Sequence, residues 1–102
     1  MLSYRILIEA EKDLDEHAFH IAKDNLNAAL RLYDAAKETY RMLSEQAKMG
    51  ECYPSQNSLL SNIRFFPIKG FKKYLVFYRP SGEEIEIIRI LHISRNIKNI
   101  LS

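Results

Sequence analysis

The strongest pattern in this sequence is a stripe of apolar residues that recurs every three or four positions in the first half of the chain. Its members are Leu26, Ala29, Leu30, Tyr33, Ala36, Tyr40, Leu43 and Ala47. This spacing predicts an amphipathic helix that buries one face against the rest of the fold. Asn25 or Asn27 can cap its start, and Gly50 is a natural stop. A helical pattern from Glu9 to about Asp24 predicts a first helix that forms an antiparallel hairpin with the second.

Extended segments surround this predicted hairpin. Residues Ser3 to Ile8 are rich in β-forming side chains and predict a first strand. After Gly50 the sequence predicts a polar loop from Glu51 to Ser61. Three strands are predicted to follow it, at Asn62 to Lys69, Lys73 to Arg79 and Glu83 to His92. At 102 residues the chain has the size of one domain. We therefore expect a single α+β domain over residues 1–102, with an N-terminal strand and an antiparallel helical hairpin packed on a small antiparallel β-sheet.

The predicted strands are apolar on both faces, whereas a strand that is half exposed alternates apolar and polar residues. In the last strand, alternation places Ile85, Ile87 and Leu91 on one face, and Ile88 and Ile90 on the other. The helical hairpin can cover only one face of the sheet. We therefore expect the opposite face, or a groove in it, to bind a partner. The alternative is that the C-terminal tail and the polar loop fold over this face.

The net charge of +2 is unevenly distributed along the chain. Residues 1–51 carry seven Lys or Arg and ten Asp or Glu, whereas residues 52–102 carry eight and three. A basic second half favours an anionic partner, either nucleic acid or an acidic protein. The single cysteine, Cys52, excludes an internal disulfide and a cysteine zinc site. No apolar run is long enough for a membrane helix, and the start does not resemble a secretory signal, so we expect a cytoplasmic protein.

Few residues in the sequence have the spacing of a catalytic or ligand site. His17 and His20 are three apart on a predicted helix, but no carboxylate or thiol lies at metal-motif spacing, so we expect no metal ion. We find no glycine-rich phosphate loop, catalytic triad or dinucleotide fingerprint, and expect no cofactor and no catalytic residue. The remaining candidates are Arg64, Arg89, His92 and Arg95. Arg89 shares its predicted strand face with the apolar residues Ile87 and Leu91. A cation on such a face needs a carboxylate partner, a phosphate or a structural pair.

An ordered set of short motifs resembles the ParE-type toxins of the RelE/ParE superfamily. The motifs in the first half are Asp13-Leu14-Asp15-Glu16, Asn27-Ala28-Ala29 with Leu32, and Leu43 followed by Met49-Gly50. Those in the second half are Ile63-Arg64, Gly70-Phe71, Tyr74 to Arg79, and Ile87 to His92 followed by Ser94-Arg95. The resemblance covers nearly the whole chain and rests on the order and spacing of these motifs.

The resemblance implies that this chain is the toxin of a type II toxin–antitoxin system. Such toxins act either on DNA gyrase, as protein inhibitors, or on ribosome-bound mRNA, as endonucleases. A carboxylate base and a terminal tyrosine expected of the mRNA-cleaving branch are missing, since no tyrosine follows Tyr78. We therefore favour gyrase inhibition without enzymatic activity. The alternatives are a RelE-like mRNA endonuclease and an inactive relative that acts only with its antitoxin.

The resemblance also implies partners and contact residues. A cognate ParD-like antitoxin would bind the toxin in a hetero-oligomer, and DNA gyrase would be the target. The candidates for contact with the target are Arg64, Arg89, His92 and Arg95. The candidates for an apolar antitoxin groove are Phe66, Ile68, Tyr74, Val76, Tyr78, Ile88 and Ile90.

Overall fold

Two long helices precede most of the β-sheet, in the order that the sequence predicts. The computed structural model describes residues 3–54 and 62–101. Its elements are β1 Ser3–Ile6, α1 Ile8–Ala22, α2 Leu26–Glu45, β2 Glu51–Cys52, β3 Arg64–Ile68, β4 Phe71–Ser81, β5 Glu84–His92 and α3 Ile97–Leu101. Helices α1 and α2 form a hairpin on one face of the sheet. The predicted α+β fold is confirmed, and the short elements β2 and α3 are additions that the sequence pattern did not indicate.

Local sequence signals predict both ends of α1 and the start of α2 to within about two residues, but not the end of α2. Asn25 is the N-cap of α2, because its side-chain oxygen accepts a hydrogen bond of 3.0 Å from the backbone N–H of Ala28. Helix α1 begins at Ile8, so the first strand is shorter than predicted and ends at Ile6. Helix α2 ends at Glu45, before the end of its apolar stripe.

Gly50 lies beyond the end of α2, and its small size serves packing instead of helix termination. Its N–H donates to the Tyr78 hydroxyl at 2.8 Å, and that hydroxyl donates to the carbonyl of Ala47 at 2.7 Å. A Cβ at residue 50 would lie 2.7 Å from Tyr78 Cε1 and 2.8 Å from the carbonyl oxygen of Phe65. The prediction that Gly50 stops the helix is therefore wrong, because the close approach of Tyr78 explains the glycine.

The five strands form one sheet in the order β1-β5-β4-β3-β2. Strand β1 pairs in parallel with β5, and the other neighbours are antiparallel. Part of the predicted loop, Glu51–Cys52, instead forms β2 and pairs with β3. Residues 55–61 of that predicted loop lie outside the described residues.

An irregularity between β4 and β5 changes which side chains of β5 share a face. Phe77 pairs with Arg89, but the next residue, Tyr78, pairs with Ile87, so β5 contains one extra residue. Such a bulge shifts the alternation of side chains by one position. Ile90 therefore joins Ile87 in the core beneath the hairpin, while Leu91 lies in a second cluster. The faces predicted for the last strand were wrong because parity was counted without this extra residue.

The second face of the sheet is largely covered by the chain itself. Phe77 and Leu91 are each 1 % exposed in the second cluster. Partly buried residues from outside the sheet pack against this cluster, namely Tyr53 near the end of β2 and Ile97, Ile100 and Leu101 of α3. The expectation of an open apolar face was therefore wrong. The alternative, in which the tail and part of the predicted loop cover it, is what the structure shows.

Burial excludes several of the predicted antitoxin-groove residues. Ile68, Val76, Tyr78 and Ile90 have no exposed surface, because they lie in the core between the hairpin and the sheet. They cannot contact a partner in this fold. The other three candidates are partly exposed and remain predictions, and they are Phe66, Tyr74 and Ile88. None of the helices within the described ranges has the length and apolar character needed to cross a membrane.

Candidate functional site

The four predicted contact residues lie in three different environments, and Arg89 is engaged within the fold. Its Nε donates to Asp13 Oδ2 at 2.7 Å, and its Nη2 donates to Asp13 Oδ1 at 2.9 Å. The backbone N–H of Ile90 donates to Oδ2 of the same carboxylate at 2.9 Å. Asp13 is only 7 % exposed, and its hydrogen bonds raise the pKa of Arg89. Of the three partners left open by the sequence, a carboxylate on α1 is the one found.

Arg64 is also held by the fold, through backbone carbonyls. Its Nη1 donates to the carbonyl of Gly50 at 2.7 Å and to that of Lys48 at 3.3 Å. These bonds fasten the segment between α2 and β2 against β3. Together with the hydroxyl of Tyr78, they secure the close packing around Gly50.

His92 and Arg95, by contrast, border a cavity of about 340 Å³ beside α1. We call this cavity the histidine pocket. It is lined by Glu16, His17 and His20 of α1, Tyr74 of β4, His92 of β5, and Ser94 and Arg95 of the following turn. The pocket unites all three histidines of the chain. The sequence signal that could have indicated the pocket was the spacing of His17 and His20 on one helix, from which we predicted neither a metal site nor a pocket. Across the two described ranges, no group of three or more His, Cys, Asp or Glu residues is arranged to hold a metal ion.

Tyr74 lies between two of these histidines. Its ring centroid is 4.8 Å from that of His17 and 4.9 Å from that of His92, and both pairs have steep interplanar angles of 63° and 82°. His17 is anchored to β5, since its Nε2 donates to the carbonyl of Ile90 at 2.7 Å. Burial raises the pKa of Tyr74, so its hydroxyl stays protonated. The result is an edge-to-face stack of three rings across α1, β4 and β5.

The hydrogen bonds of His92 define its tautomer. The backbone N–H of Ser94 donates to His92 Nδ1 at 3.0 Å, and Ser94 Oγ lies 2.8 Å from the same nitrogen. Nδ1 therefore acts as an acceptor, and the neutral ring carries its proton on Nε2. Burial and the nearby positive charges of His17, Lys73 and His20 lower the pKa of His92. His92 is thus a neutral hydrogen-bond donor at physiological pH.

The lowered pKa of His92 predicts a pH dependence of stability. Its value in the unfolded chain is about 6.5, so the unfolded state takes up this proton at a higher pH than the folded state. The stabilising contribution is full above about pH 6.5 and is lost as the pH falls through the lower, folded-state pKa. We expect an NMR titration of the His92 ring to give a midpoint below about 6.5. We also expect the melting temperature of His92→Gln to fall less than that of the wild type between neutral and mildly acidic pH. A His92 midpoint at or above the unfolded value would contradict this assignment.

Comparison with known proteins identifies the family. A model of the ParE toxin of the type II toxin–antitoxin system parDE matches residues 4–97. The chain belongs to this ParE toxin family. A solved structure from the chromosomal ParDE TA system of P. aeruginosa is 25% identical to this ParE chain, with a TM-score of 0.72. The match covers 90% of the present chain and 96% of the other. A search of curated proteins found no match. The resemblance seen in the sequence motifs is confirmed.

Proposed function

We propose that this ParE-family toxin is a protein inhibitor of DNA gyrase, without enzymatic activity of its own. The family match over residues 4–97 supports the proposal, and one structural observation supports it over mRNA cleavage. An RNA-cleaving site uses several cations to stabilise the charged phosphate, and of the three predicted arginines only Arg95 has no partner among the described residues. Arg89 is instead neutralised by Asp13, and Arg64 is bound to backbone carbonyls. Two of the four predicted contact residues are therefore already committed to structural roles.

We propose His92 and Arg95 as the main contacts with gyrase. Arg95 is exposed and lies in the turn that follows β5, and it lines the histidine pocket together with His92. The guanidinium of Arg95 forms no hydrogen bond or ion pair with any residue in the described ranges. It is therefore available to a carboxylate or phosphate of the target without loss of an internal contact.

We further propose that a ParD-like antitoxin covers the outer surface of the helical hairpin. Large apolar side chains that are 57–71% exposed lie on α1 and α2, and they are Ile8, Phe19, Leu26 and Leu30. We take these exposed apolar side chains of the hairpin as candidate contacts of the antitoxin. The chromosomal ParDE system of the P. aeruginosa structure is consistent with an antitoxin partner. This proposal replaces most of the predicted sheet groove, whose central residues are buried.

A second candidate function, mRNA cleavage, is favoured by the composition of the histidine pocket. The sequence lacked the expected carboxylate base and terminal tyrosine, since no tyrosine follows Tyr78. The fold nevertheless brings Glu16 and Tyr74 to the same pocket as His92, from α1 and β4. Such groups could move protons in a ribonuclease. This alternative has to be tested alongside the first.

Purified protein should therefore be assayed for gyrase supercoiling and cleavage complexes, beside a ribosome-programmed mRNA cleavage assay. We expect supercoiling to be inhibited and cleavage complexes to accumulate, while the message remains intact. Because Arg95 is proposed as a contact, Arg95→Gln should lower the inhibitory potency about tenfold, equivalent to about 1.4 kcal/mol of binding free energy.

The matched control is Arg31→Gln, which removes an exposed arginine on α2, away from the histidine pocket. We expect its potency to stay within about twofold of the wild type, since isolated surface substitutions have small effects. If the message is cut while supercoiling proceeds normally, the gyrase proposal is wrong and the second candidate is correct. If neither activity is present, the chain is an inactive relative that acts only with its antitoxin.

A further inference from the structure

The histidine pocket contains several polar groups that have no partner among the described residues. Over residues 3–54 and 62–101, the Arg95 guanidinium, the His20 ring and the Tyr74 hydroxyl form no hydrogen bond or ion pair. In contrast, the guanidinium group of Arg64 donates to two backbone carbonyls, and that of Arg89 donates to the carboxylate of Asp13. The pocket therefore brings together several polar groups whose hydrogen-bonding capacity the described residues leave unused.

The unused groups are mainly hydrogen-bond donors. His92 offers its Nε2–H, because Nδ1 accepts from Ser94. Tyr74 offers its hydroxyl, and Arg95 offers several N–H groups and a permanent charge. Lys73 adds positive potential at His92. Glu16 is the opposing carboxylate in the lining.

The donors that line the pocket belong to several elements of the fold. They belong to β4, to the end of β5 and to the turn after it, with α1 forming the remaining wall. A tetrahedral oxyanion presents oxygens in several directions, whereas the two oxygens of a carboxylate lie in one plane. The volume of about 340 Å³ is at the lower end of the range for ligand pockets, so a phosphate attached to a larger molecule can enter.

We propose that the histidine pocket binds a phosphate group, with Arg95 as its charge partner and His92 and Tyr74 as hydrogen-bond donors. The phosphate comes either from free phosphate or from a nucleic-acid strand, because both present the same oxygens. This inference does not depend on gyrase being the target. It concerns a ligand that the purified toxin binds by itself.

The test is an NMR titration of the purified protein at constant ionic strength, monitoring the three histidine rings. Inorganic phosphate should shift the signals of His92 in a saturable manner, with a dissociation constant of about 1 mM, as is reasonable for a small ion. A single-stranded oligonucleotide with a 5′-phosphate and its 5′-hydroxyl counterpart distinguish the sources. A preference of tenfold or more for the 5′-phosphate assigns the ligand to a strand end, and equal saturable binding of both assigns it to the backbone. Binding of inorganic phosphate alone assigns it to free phosphate.

Variants with opposite expected effects sharpen this test. Arg95→Gln should weaken phosphate binding at least tenfold, whereas Glu16→Gln should strengthen it severalfold by removing the opposing charge. Arg31→Gln, the distant control, should leave it unchanged. All three residues are exposed, so the folded variants can be compared directly. The proposal is overturned if no probe gives saturable shifts of the pocket histidines, if acetate binds as tightly as phosphate, or if Arg95→Gln binds like the wild type.

Discussion

Replacing Asp13 with alanine is expected to lower the free energy of unfolding by about 3 kcal/mol, the largest effect we foresee from a single charged residue. The Asp13 carboxylate accepts two hydrogen bonds from Arg89 and one from the backbone N–H of Ile90. Its removal leaves a partly buried guanidinium and a buried N–H without their acceptor. Uncompensated groups of this kind carry the full cost of lost hydration. For a domain of this size, we expect the melting temperature to fall by more than about 10 °C.

The matched control is Asp15→Ala, two residues along the same helix. Asp15 is exposed and accepts one hydrogen bond of 2.6 Å from the Tyr33 hydroxyl, a bond that raises the pKa of Tyr33 to about 12. We expect its loss to cost about 1 kcal/mol or less. Both variants can be compared by urea denaturation followed by circular dichroism. An Asp13→Ala protein whose stability stays within about 1 kcal/mol of the wild type would mean that the pair does not hold α1 on β5.

A double-mutant cycle separates the ion pair from the packing of each residue. Arg89→Ala alone should also destabilise the fold, because it leaves the Asp13 carboxylate buried without its charge partner. The double variant should be more stable than the sum of the single effects predicts, with a coupling of at least about 1.5 kcal/mol. A loss of toxicity in Arg89→Ala therefore indicates a target contact only if the variant is shown to remain folded.

Replacing Gly50 with alanine is expected to have the second large effect, lowering the free energy of unfolding by about 2–3 kcal/mol. The added methyl group would overlap with the Tyr78 ring and with the carbonyl oxygen of Phe65, at 2.7 and 2.8 Å. Tyr78 is fully buried, and its hydroxyl is fixed by bonds to residues 47 and 50. Neither neighbour can move away cheaply. Thermal and urea denaturation should both show the loss.

Gly82→Ala provides the control for the backbone cost of replacing a glycine. Gly82 has a φ of +66°, and an added Cβ would meet nothing within 4 Å. Its replacement costs only the strain of a left-handed conformation, about 1 kcal/mol. Gly50→Ala should therefore be clearly less stable than Gly82→Ala. The reverse order would show that the segment around Gly50 adapts, and that close packing is not the reason for the glycine.

Local signals in the sequence predicted both long helices and four of the five strands in the described residues, and they offered Asn25 as one of two possible caps, because periodicity and capping depend on neighbouring residues. They failed where distant residues meet. Arg89 and Asp13 are 76 positions apart, so the sequence could show that Arg89 needs a partner but not which one. The bulge in β5 is defined by the pairing of β5 with β4. The alternation of apolar residues along the sequence does not show it.

The covering of the second sheet face shows the same limit. Helix α3 has only five residues, too few to form a stable helix alone or to give a clear periodic pattern. It acquires its role by packing on Phe77 and Leu91. The second face is thus largely covered by the chain itself, and the expectation of an open apolar face was wrong. The assignment to the ParE family is independent of this covering, because it rests on the ordered motifs and on the match over residues 4–97.

The amino-acid sequence by itself determined the order of the elements, the existence of the hairpin and the membership of the ParE family. These properties are written in short-range spacing and in motifs that can be read along the chain. Only the tertiary structure decided that Arg89 is neutralised by Asp13, that α3 covers the sheet, and that His17, His20 and His92 share a pocket with Tyr74. Each of these depends on strand register and on helix packing, which bring together side chains from opposite ends of the sequence.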